Sequence, residues 1–129
     1  MDQARLKSIP LFASLSEAER EKVARWADEV EVEVGKHLVD EGRFAYEFFV
    51  IEEGSAAVRH GDEVVAELGP GDFFGEIALL EHVRRTASVV ATSPMRAVVM
   101  FGRDFRSMEN EMPAVADSIK QAVEERKGR

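Results

Sequence analysis

Residues 69–90 read GPGDFFGEIALLEHVRRTASVV, and this stretch decides the fold more than any other part of the chain. Its opening turn, Gly69-Pro70-Gly71-Asp72, leads directly into Phe73-Phe74-Gly75-Glu76. The residues from Glu76 to Leu80 have the pattern of a single helical turn within a region of β segments. Arg84 and Arg85 follow, just before a predicted strand. The stretch therefore predicts a short helix inside a β domain, with two arginines close to it in sequence.

A short helix of this kind can bind an anion, because its first turn exposes free backbone N–H groups. An arginine facing that turn, Arg84 or Arg85, adds the fork of donors that suits a phosphate group. Gly75 lets the backbone approach a ligand closely, since glycine has no Cβ. Glu76 is a poor neighbour for a phosphate alone, but its oxygens can accept hydrogen bonds from sugar hydroxyls. Phosphate, ribose and a nearby apolar lid together describe a nucleotide site.

From residue 31 to residue 102 the sequence predicts a series of short strands. Val32 and Val34 alternate with glutamates, which indicates a half-buried strand. The continuous apolar run Phe48–Ile51 is typical of a core strand. Further strands are predicted at Ala56–Arg59, Val64–Leu68, Ala87–Ala91 and Ala97–Phe101, and turn-forming glycines separate several of them. Short strands at this spacing predict an antiparallel sandwich or jelly roll.

Helical patterns flank the β region on both sides. The N-terminal segment, residues 1–30, contains a predicted helical stretch from Leu11 to Val30, with Ser16 and Glu19 forming a capping box. Residues 103–129 form the second helical segment, in which Pro113 suits the first turn of a new helix. The apolar stripe of that helix consists of Val115, Ile119, Ala122 and Val123. Residues 1–129 are therefore predicted to be one domain, built as helix, β-roll, helix.

Composition excludes several classes of function. The chain has 129 residues and a formal net charge of −8, which disfavours binding to nucleic acid or to an anionic membrane. It has no cysteine, and its three histidines are scattered without ligand spacing, so we expect no metal site. No membrane-spanning run or signal peptide is recognisable, which predicts a cytoplasmic protein without membrane insertion. No nucleophile–base pair is visible either, and the chain is not predicted to be an enzyme.

The stretch from Phe74 to Ala87 closely resembles the phosphate-binding cassette of cyclic nucleotide-binding domains. The resemblance rests on Phe74-Gly75-Glu76-Ile77-Ala78-Leu79-Leu80, then Arg85 and Thr86-Ala87, and it extends from about Ile9 to Val123. It implies a mainly β fold with flanking helices: an antiparallel β-roll of jelly-roll type with an N-terminal helix. A short cassette helix and a C-terminal lid helix complete the fold that it implies.

The resemblance also implies a role for each cassette residue. Arg85 would pair with the cyclic phosphate, and the backbone N–H groups of Ala78 and Thr86 would complete the phosphate site. Glu76 would accept a hydrogen bond from the ribose 2′-hydroxyl, beside the Gly75 backbone. The ligand would be cAMP or cGMP, without any other cofactor, and cAMP is favoured although Thr86 leaves cGMP open. The predicted ligand-binding residues are Phe74, Gly75, Glu76, Ile77, Ala78, Arg84, Arg85, Thr86, Ala87, Ile119 and Val123.

Alternatives remain at each of these points. Arg85 can instead form a structural ion pair with Glu76, and the stripe that contains Val115 can pack the last helix without closing over a ligand. Phe73 and Phe74 fit the core better than a base-stacking role. The domain can also be a partner-binding module that no longer responds to nucleotide, or the ligand-binding domain of a larger channel or regulator. A receptor that ends near residue 129 would need a protein partner or self-association for its output.

Overall fold

The described part of the chain contains short N-terminal helices, eight strands and C-terminal helices. The structure is a computed structural model that describes residues 1–42, 47–74, 87–118 and 121. The N-terminal helices are α1 (Gln3–Leu6), α2 (Pro10–Ala13) and α3 (Glu17–Trp26). The strands are β1 (Ala27–Val32), β2 (His37–Val39), β3 (Glu47–Glu53), β4 (Ala56–His60), β5 (Glu63–Leu68), β6 (Phe73–Phe74), β7 (Ser88–Ala91) and β8 (Met95–Phe101). After β8 come α4 (Gly102–Glu111) and a helical segment over residues 113–118.

The strands form two antiparallel sheets of four strands each. Sheet A has the order β1-β8-β3-β6, and sheet B has the order β2-β7-β4-β5. Within the described ranges neither sheet closes on itself, because each order begins and ends on an edge strand. The arrangement confirms the predicted fold class, a mainly β domain of antiparallel strands with flanking helices. The predicted cassette helix falls on residues 75–86, outside the described ranges.

Sheet A separates two apolar cores. The core between sheet A and the helices includes Leu6, Phe12, Val23, Phe48, Val50, Val98, Met100 and Phe105. The core between the two sheets includes Phe49, Ile51 and Val99 from sheet A, with Ala56, Val89 and Ala91 from sheet B. Since successive side chains of a strand point to opposite faces, β3 contributes to both cores. This explains why Phe48–Ile51 is an uninterrupted apolar run.

The predicted helix from Leu11 to Val30 is wrong at its C-terminal end. The capping box of Ser16 and Glu19 is present and begins α3, but the helix ends at Trp26. Residues Ala27–Val32 form β1 instead and pair with β8 along their whole length. The apolar residues Val23, Trp26, Ala27 and Val30 have helical spacing, so the local pattern alone predicts that the helix continues. Tertiary pairing with β8 therefore decides the conformation here, as is common for weak local signals.

Other strands differ from their predicted limits by smaller amounts. Val34, predicted to be half-buried in a strand, lies beyond the end of β1 and its side chain is 61% exposed. The strands predicted after Phe48–Ile51 are confirmed with shifts of one or two residues at their ends. Two short strands, β2 and β6, were not predicted, because three and two residues are too few to show an alternating pattern.

Candidate ligand-binding site

Two of the eleven predicted ligand-binding residues lie in the described part of the chain, Phe74 and Ala87. They mark the two ends of the predicted cassette. The other nine are Gly75, Glu76, Ile77, Ala78, Arg84, Arg85, Thr86, Ile119 and Val123, and they lie outside the described residues. The structure therefore defines how the cassette is anchored, and the roles assigned to its inner residues stay predictions.

The first anchor is the short strand β6, held by aromatic packing on β3. Phe74 pairs with Phe49 in the strand register, and their rings stack with centroids 4.9 Å apart and an interplanar angle of 13°. Phe74 is 4% exposed and belongs to the core between the sheets. The neighbouring Phe73 turns to the other core, where its ring lies 5.9 Å from that of Phe48. The prediction that Phe73 and Phe74 are packing residues is confirmed, whereas contact between Phe74 and a ligand stays a prediction.

The turn before β6 is fixed by hydrogen bonds to β3. The backbone N–H of Gly69 donates to Oδ2 of Asp72 at 2.8 Å, and the N–H of Asp72 donates back to the Gly69 carbonyl at 3.0 Å. Ile51 donates its N–H to the carbonyl of Asp72 and accepts at its own carbonyl from Gly71, both at 2.8 Å. Gly71 has φ +90°, a backbone conformation that favours glycine. These hydrogen bonds therefore fix the turn against β3, and the chain enters the cassette from this turn.

The second anchor is the start of β7, which lies in sheet B. Ser88, the first residue of β7, accepts on Oγ a hydrogen bond of 2.9 Å from the backbone N–H of Glu41. The carboxylate of Glu41 accepts from the N–H of Gly61, in the β4–β5 hairpin, at 3.2 Å. The same carboxylate lies 3.8 Å from Nδ1 of His60. One glutamate thus ties the loop after β2 to both the hairpin and the end of the cassette.

The sequence did not predict the contacts that Glu41 makes with the end of the cassette and with the hairpin. Its partners lie 20 and 47 residues further along the chain, so only the folded sheet brings them together. The two anchors together show that the chain leaves sheet A after Phe74 and enters sheet B at Ser88. A ligand held by residues 75–86 would therefore be coupled to both sheets.

The C-terminal helices pack against the same core as Phe73. The ring of Phe105, on α4, lies 5.5 Å from that of Phe48. Phe105 is 2% exposed and Val115 is 3% exposed, and both belong to the core between sheet A and the helices. The prediction that a new helix begins at Pro113 is confirmed, since α4 ends at Glu111 and helix resumes at residue 113. Phe48 therefore contacts the strand that begins the cassette on one side and the C-terminal helix on the other.

Three other observations in the described ranges bear on function. These ranges contain no group of three or more histidine, aspartate or glutamate side chains placed to hold a metal ion. In the same ranges, no helix is long and apolar enough to cross a membrane. An open cleft of about 670 Å³ is lined by parts of β1, β3 and β8, and neither of the two described ligand-binding candidates, Phe74 and Ala87, lines it.

Comparison with known proteins identifies relatives along most of the chain. The family model of the cyclic nucleotide-binding domain matches residues 29–111. A cAMP-dependent protein kinase regulatory subunit of Mycosarcoma maydis is 36% identical over 87% of this chain and 23% of its own length. A candidate potassium channel protein of Rhodopseudomonas palustris is 35% identical over 94% of this chain and 30% of its own length. The chain thus spans about a quarter of the length of these curated relatives.

Solved structures show the same fold. PKAR CBD2 with bound Sp-2Cl-cAMPS has a TM-score of 0.82 and 25% identity, over 98% of this chain and 84% of that one. The Thermus thermophilus catabolite activator protein has a TM-score of 0.80 and 25% identity, over 91% of this chain and 57% of that one. The regulatory subunit of a cAMP-independent protein kinase A from Trypanosoma brucei has a TM-score of 0.81 and 26% identity, over 94% of this chain and 45% of that one.

A variant of the Trypanosoma brucei subunit has also been solved, with cAMP bound in its A site. It matches with a TM-score of 0.80 and 27% identity, over 92% of this chain and 44% of that one. In this variant a glutamate is replaced by alanine. Seven and eight positions further along, a threonine is replaced by arginine and a valine by alanine.

Proposed function

Because this chain belongs to the cyclic nucleotide-binding domain family, we propose that it is a receptor for a cyclic nucleotide, with cAMP preferred over cGMP. The domain acts by binding rather than by catalysis. Its output passes to a protein partner or to a second copy of the chain, in the cytoplasm. Neither nucleic acid nor a membrane takes part in this function.

The sequence of the cassette carries the proposal. Ala78 and Arg85 are seven positions apart, which is the spacing of the alanine and arginine introduced into the Trypanosoma brucei variant that is bound to cAMP. This chain therefore already has two of the three residue types that distinguish that variant from the regulatory subunit of a kinase named as cAMP-independent, and it has Thr86 where the variant has its second introduced alanine. Glu76 adds a carboxylate for the ribose, and Arg85 adds a charge-assisted donor for the phosphate. A module that had lost nucleotide binding would have no need of both side chains.

The relatives favour cAMP over cGMP as the ligand. Regulatory subunits of cAMP-dependent protein kinase are 32–38% identical to this chain, and PKAR CBD2 was solved with a cAMP analogue. Thr86 is the one cassette residue that favours cGMP, because its hydroxyl can contact the amino group of guanine. The hydroxyl adds one hydrogen bond at most, so we expect a preference for cAMP with measurable binding of cGMP.

The signal is proposed to run through the packing of Phe48. Phosphate binding by residues 75–86 would shift the strand β6 that leads into them, and Phe73 on that strand packs on Phe48. Phe48 in turn packs on Phe105 of α4. The helix that follows, from residue 113, would then close over the base with Ile119 or Val123. The free energy for this closure comes from contacts that the nucleotide makes only in the closed state.

A second candidate function is a partner-binding module of the same fold. The comparison with Trypanosoma brucei favours this second function. There, the regulatory subunit of a kinase named as cAMP-independent has the same fold along 94% of the present chain. The chain matches only about a quarter of the length of its curated relatives. This also fits the ligand-binding domain of a larger regulator or channel. A partner-binding module would contact its partner through residues 113–123.

Calorimetric titration separates these candidates. The protein is first unfolded, freed of any bound nucleotide and refolded, and then titrated with cAMP and with cGMP in separate experiments. We expect saturable binding in the micromolar range or tighter, with cAMP the stronger ligand. A folded sample that gives no heat with either nucleotide would contradict the receptor function and favour the partner-binding module.

A further inference from the structure

The open cleft of about 670 Å³ lies where β1 ends and β8 begins, and we call it the β1–β8 cleft. Glu53, the last residue of β3, lines this cleft. The anchor Phe74 instead pairs with Phe49, near the start of the same strand. Four residues of a strand span roughly 13 Å. An occupant of the β1–β8 cleft would therefore be separate from the anchor of the cassette at Phe74.

The floor of the β1–β8 cleft is apolar. Val32 and Met95 are 6% and 4% exposed and belong to the core between the two sheets. Val34 and Pro94 continue this apolar surface outward and are exposed. At 61%, Val34 is the most exposed of the large apolar side chains that the structure describes. The cleft therefore offers apolar surface that a partner can remove from water.

The rim of the β1–β8 cleft is acidic. Of the described residues that line the cleft, Arg96 is the one cation, and it lies 3.3 Å from Glu31 and 3.6 Å from Glu53. Glu33 also lines the cleft, is exposed, and forms no ion pair within the described part of the chain. Three carboxylates thus face one guanidinium group. Such a rim attracts cationic groups and repels anionic ones.

Hydrogen bonds between turns hold the β1–β8 cleft in shape. Gly35, which follows Val34, donates its N–H to the carbonyl of Ala91 at 2.8 Å, and Ala91 donates its own N–H to the carbonyl of Lys36 at 3.0 Å. On the other side of the cleft, Thr92 donates its N–H to the carbonyl of Ser55 at 3.0 Å. These contacts fix the turn after β1 and the turn before β8. A preformed surface loses little conformational freedom when a partner binds.

We propose that the β1–β8 cleft docks a basic segment of a protein partner. An apolar side chain of that segment covers Val34 and Pro94, and a neighbouring lysine or arginine pairs with Glu33. A nucleotide fits poorly here, because the carboxylates of the rim repel its phosphate. A second copy of this chain is also disfavoured, since each copy has a net charge of −8. The proposal does not depend on nucleotide binding by the cassette.

Titration with a defined peptide tests the docking. The probe is a synthetic hexapeptide of alternating arginine and valine, and the same peptide with glutamate in place of arginine is its control. In NMR spectra of the full chain, we expect saturable shifts of the amides of Glu33, Val34 and Arg96 with the basic peptide and none with the acidic one. Raising the salt from 0.1 M to 1 M shortens the screening length from roughly 10 Å to roughly 3 Å and should weaken the binding. Shifts that leave these three amides unchanged would overturn the proposal.

Two charge-reversal variants separate the cleft from the net charge of the chain. Glu33→Lys reverses the free carboxylate of the rim, whereas Glu63→Lys makes the same change at an exposed position on β5, in the other sheet. Glu33→Lys should bind the basic peptide about 2- to 30-fold more weakly than the wild type. Glu63→Lys should bind it like the wild type. Equal weakening in both variants would indicate attraction to the net charge alone and would overturn the proposal.

The floor and the alternative occupant have their own tests. Val34→Ser should also weaken the binding of the basic peptide, and unchanged affinity would contradict the apolar contact. Without any peptide, the amide positions of Glu33 and Val34 should not depend on protein concentration. Shifts of these amides on concentrating the protein would assign the cleft to a second copy of the chain and would overturn the proposal. Because none of these samples contains a nucleotide, their outcome is independent of the receptor function.

Discussion

Replacing Gly54 with alanine gives a sharp test of the packing between the ends of the two sheets. Gly54 lies in the turn between β3 and β4 and has φ +91°, a conformation that residues with a side chain rarely adopt. A Cβ at this position would lie 2.5 Å from the carbonyl oxygen of Pro94 and 2.6 Å from the Cβ of Met95. Neither atom is the end of a flexible side chain, so the backbone has to move.

Two free-energy costs, one from backbone conformation and one from overpacking, add in Gly54→Ala. A left-handed conformation costs alanine about 1–2 kcal/mol, and an overpacked site costs about 1–3 kcal/mol more. We therefore expect Gly54→Ala to lower the free energy of unfolding by about 2–5 kcal/mol, out of the roughly 5–15 kcal/mol typical of a domain. Gly35→Ala is the matched control, because Gly35 has φ +87° but no heavy atom within 4 Å of its Cβ position. It should lose about 1–2 kcal/mol, from conformation alone.

Urea unfolding, monitored by circular dichroism and fitted with a common m-value, measures the free energy of unfolding of both variants. The loss in Gly54→Ala should exceed the loss in Gly35→Ala by about 1–3 kcal/mol. Equal losses in the two variants would refute the close approach of Gly54 to the turn before β8.

Three further predictions concern the helices and the site. Ser16→Ala removes the capping box of α3 and should cost about 1 kcal/mol of unfolding free energy in urea, and an unchanged value would count against the cap. Phe48→Leu removes two ring contacts and should cost about 1–3 kcal/mol. It should also leave cAMP binding measurable while abolishing any cAMP-induced protection of α4 amides, and intact protection would contradict the proposed coupling. Glu76→Gln should reduce the preference for cAMP over its 2′-deoxy analogue, and equal loss of affinity for both ligands would exclude the ribose contact.

Much of the β region could be predicted from local pattern. The apolar run Phe48–Ile51 identified β3, and the glycine turns located the strands that follow it. The start of β1 could not be predicted, because the apolar residues from Val23 to Val30 have helical spacing and only pairing with β8 makes Ala27–Val32 a strand. The strand β6 has only two residues, and its position depends on hydrogen bonds between the preceding turn and Ile51.

The candidate site, like the β region, could be predicted from the sequence only in part. The residues predicted to bind the phosphate and the ribose are close together in sequence, so the motif from Phe74 to Ala87 is recognisable in the sequence alone. The residues that anchor this motif are far apart in the sequence, and Glu41 contacts Ser88 and Gly61 only in the folded sheet. Sequence therefore indicated the chemistry of the site, and the fold shows how the two ends of the cassette are held.

The most direct test of the central claim is the affinity of Arg85→Ala for cAMP, measured by calorimetry on nucleotide-free protein. Arg103→Ala is the control, because Arg103 is an exposed arginine on α4 outside the predicted site. Loss of a buried charge-assisted pair costs about 2–5 kcal/mol, so Arg85→Ala should bind cAMP about 30- to 4,000-fold more weakly than the wild type. Arg103→Ala should bind like the wild type. If Arg85→Ala, correctly folded, also binds cAMP as tightly as the wild type, the assignment of the cassette as the phosphate site is wrong.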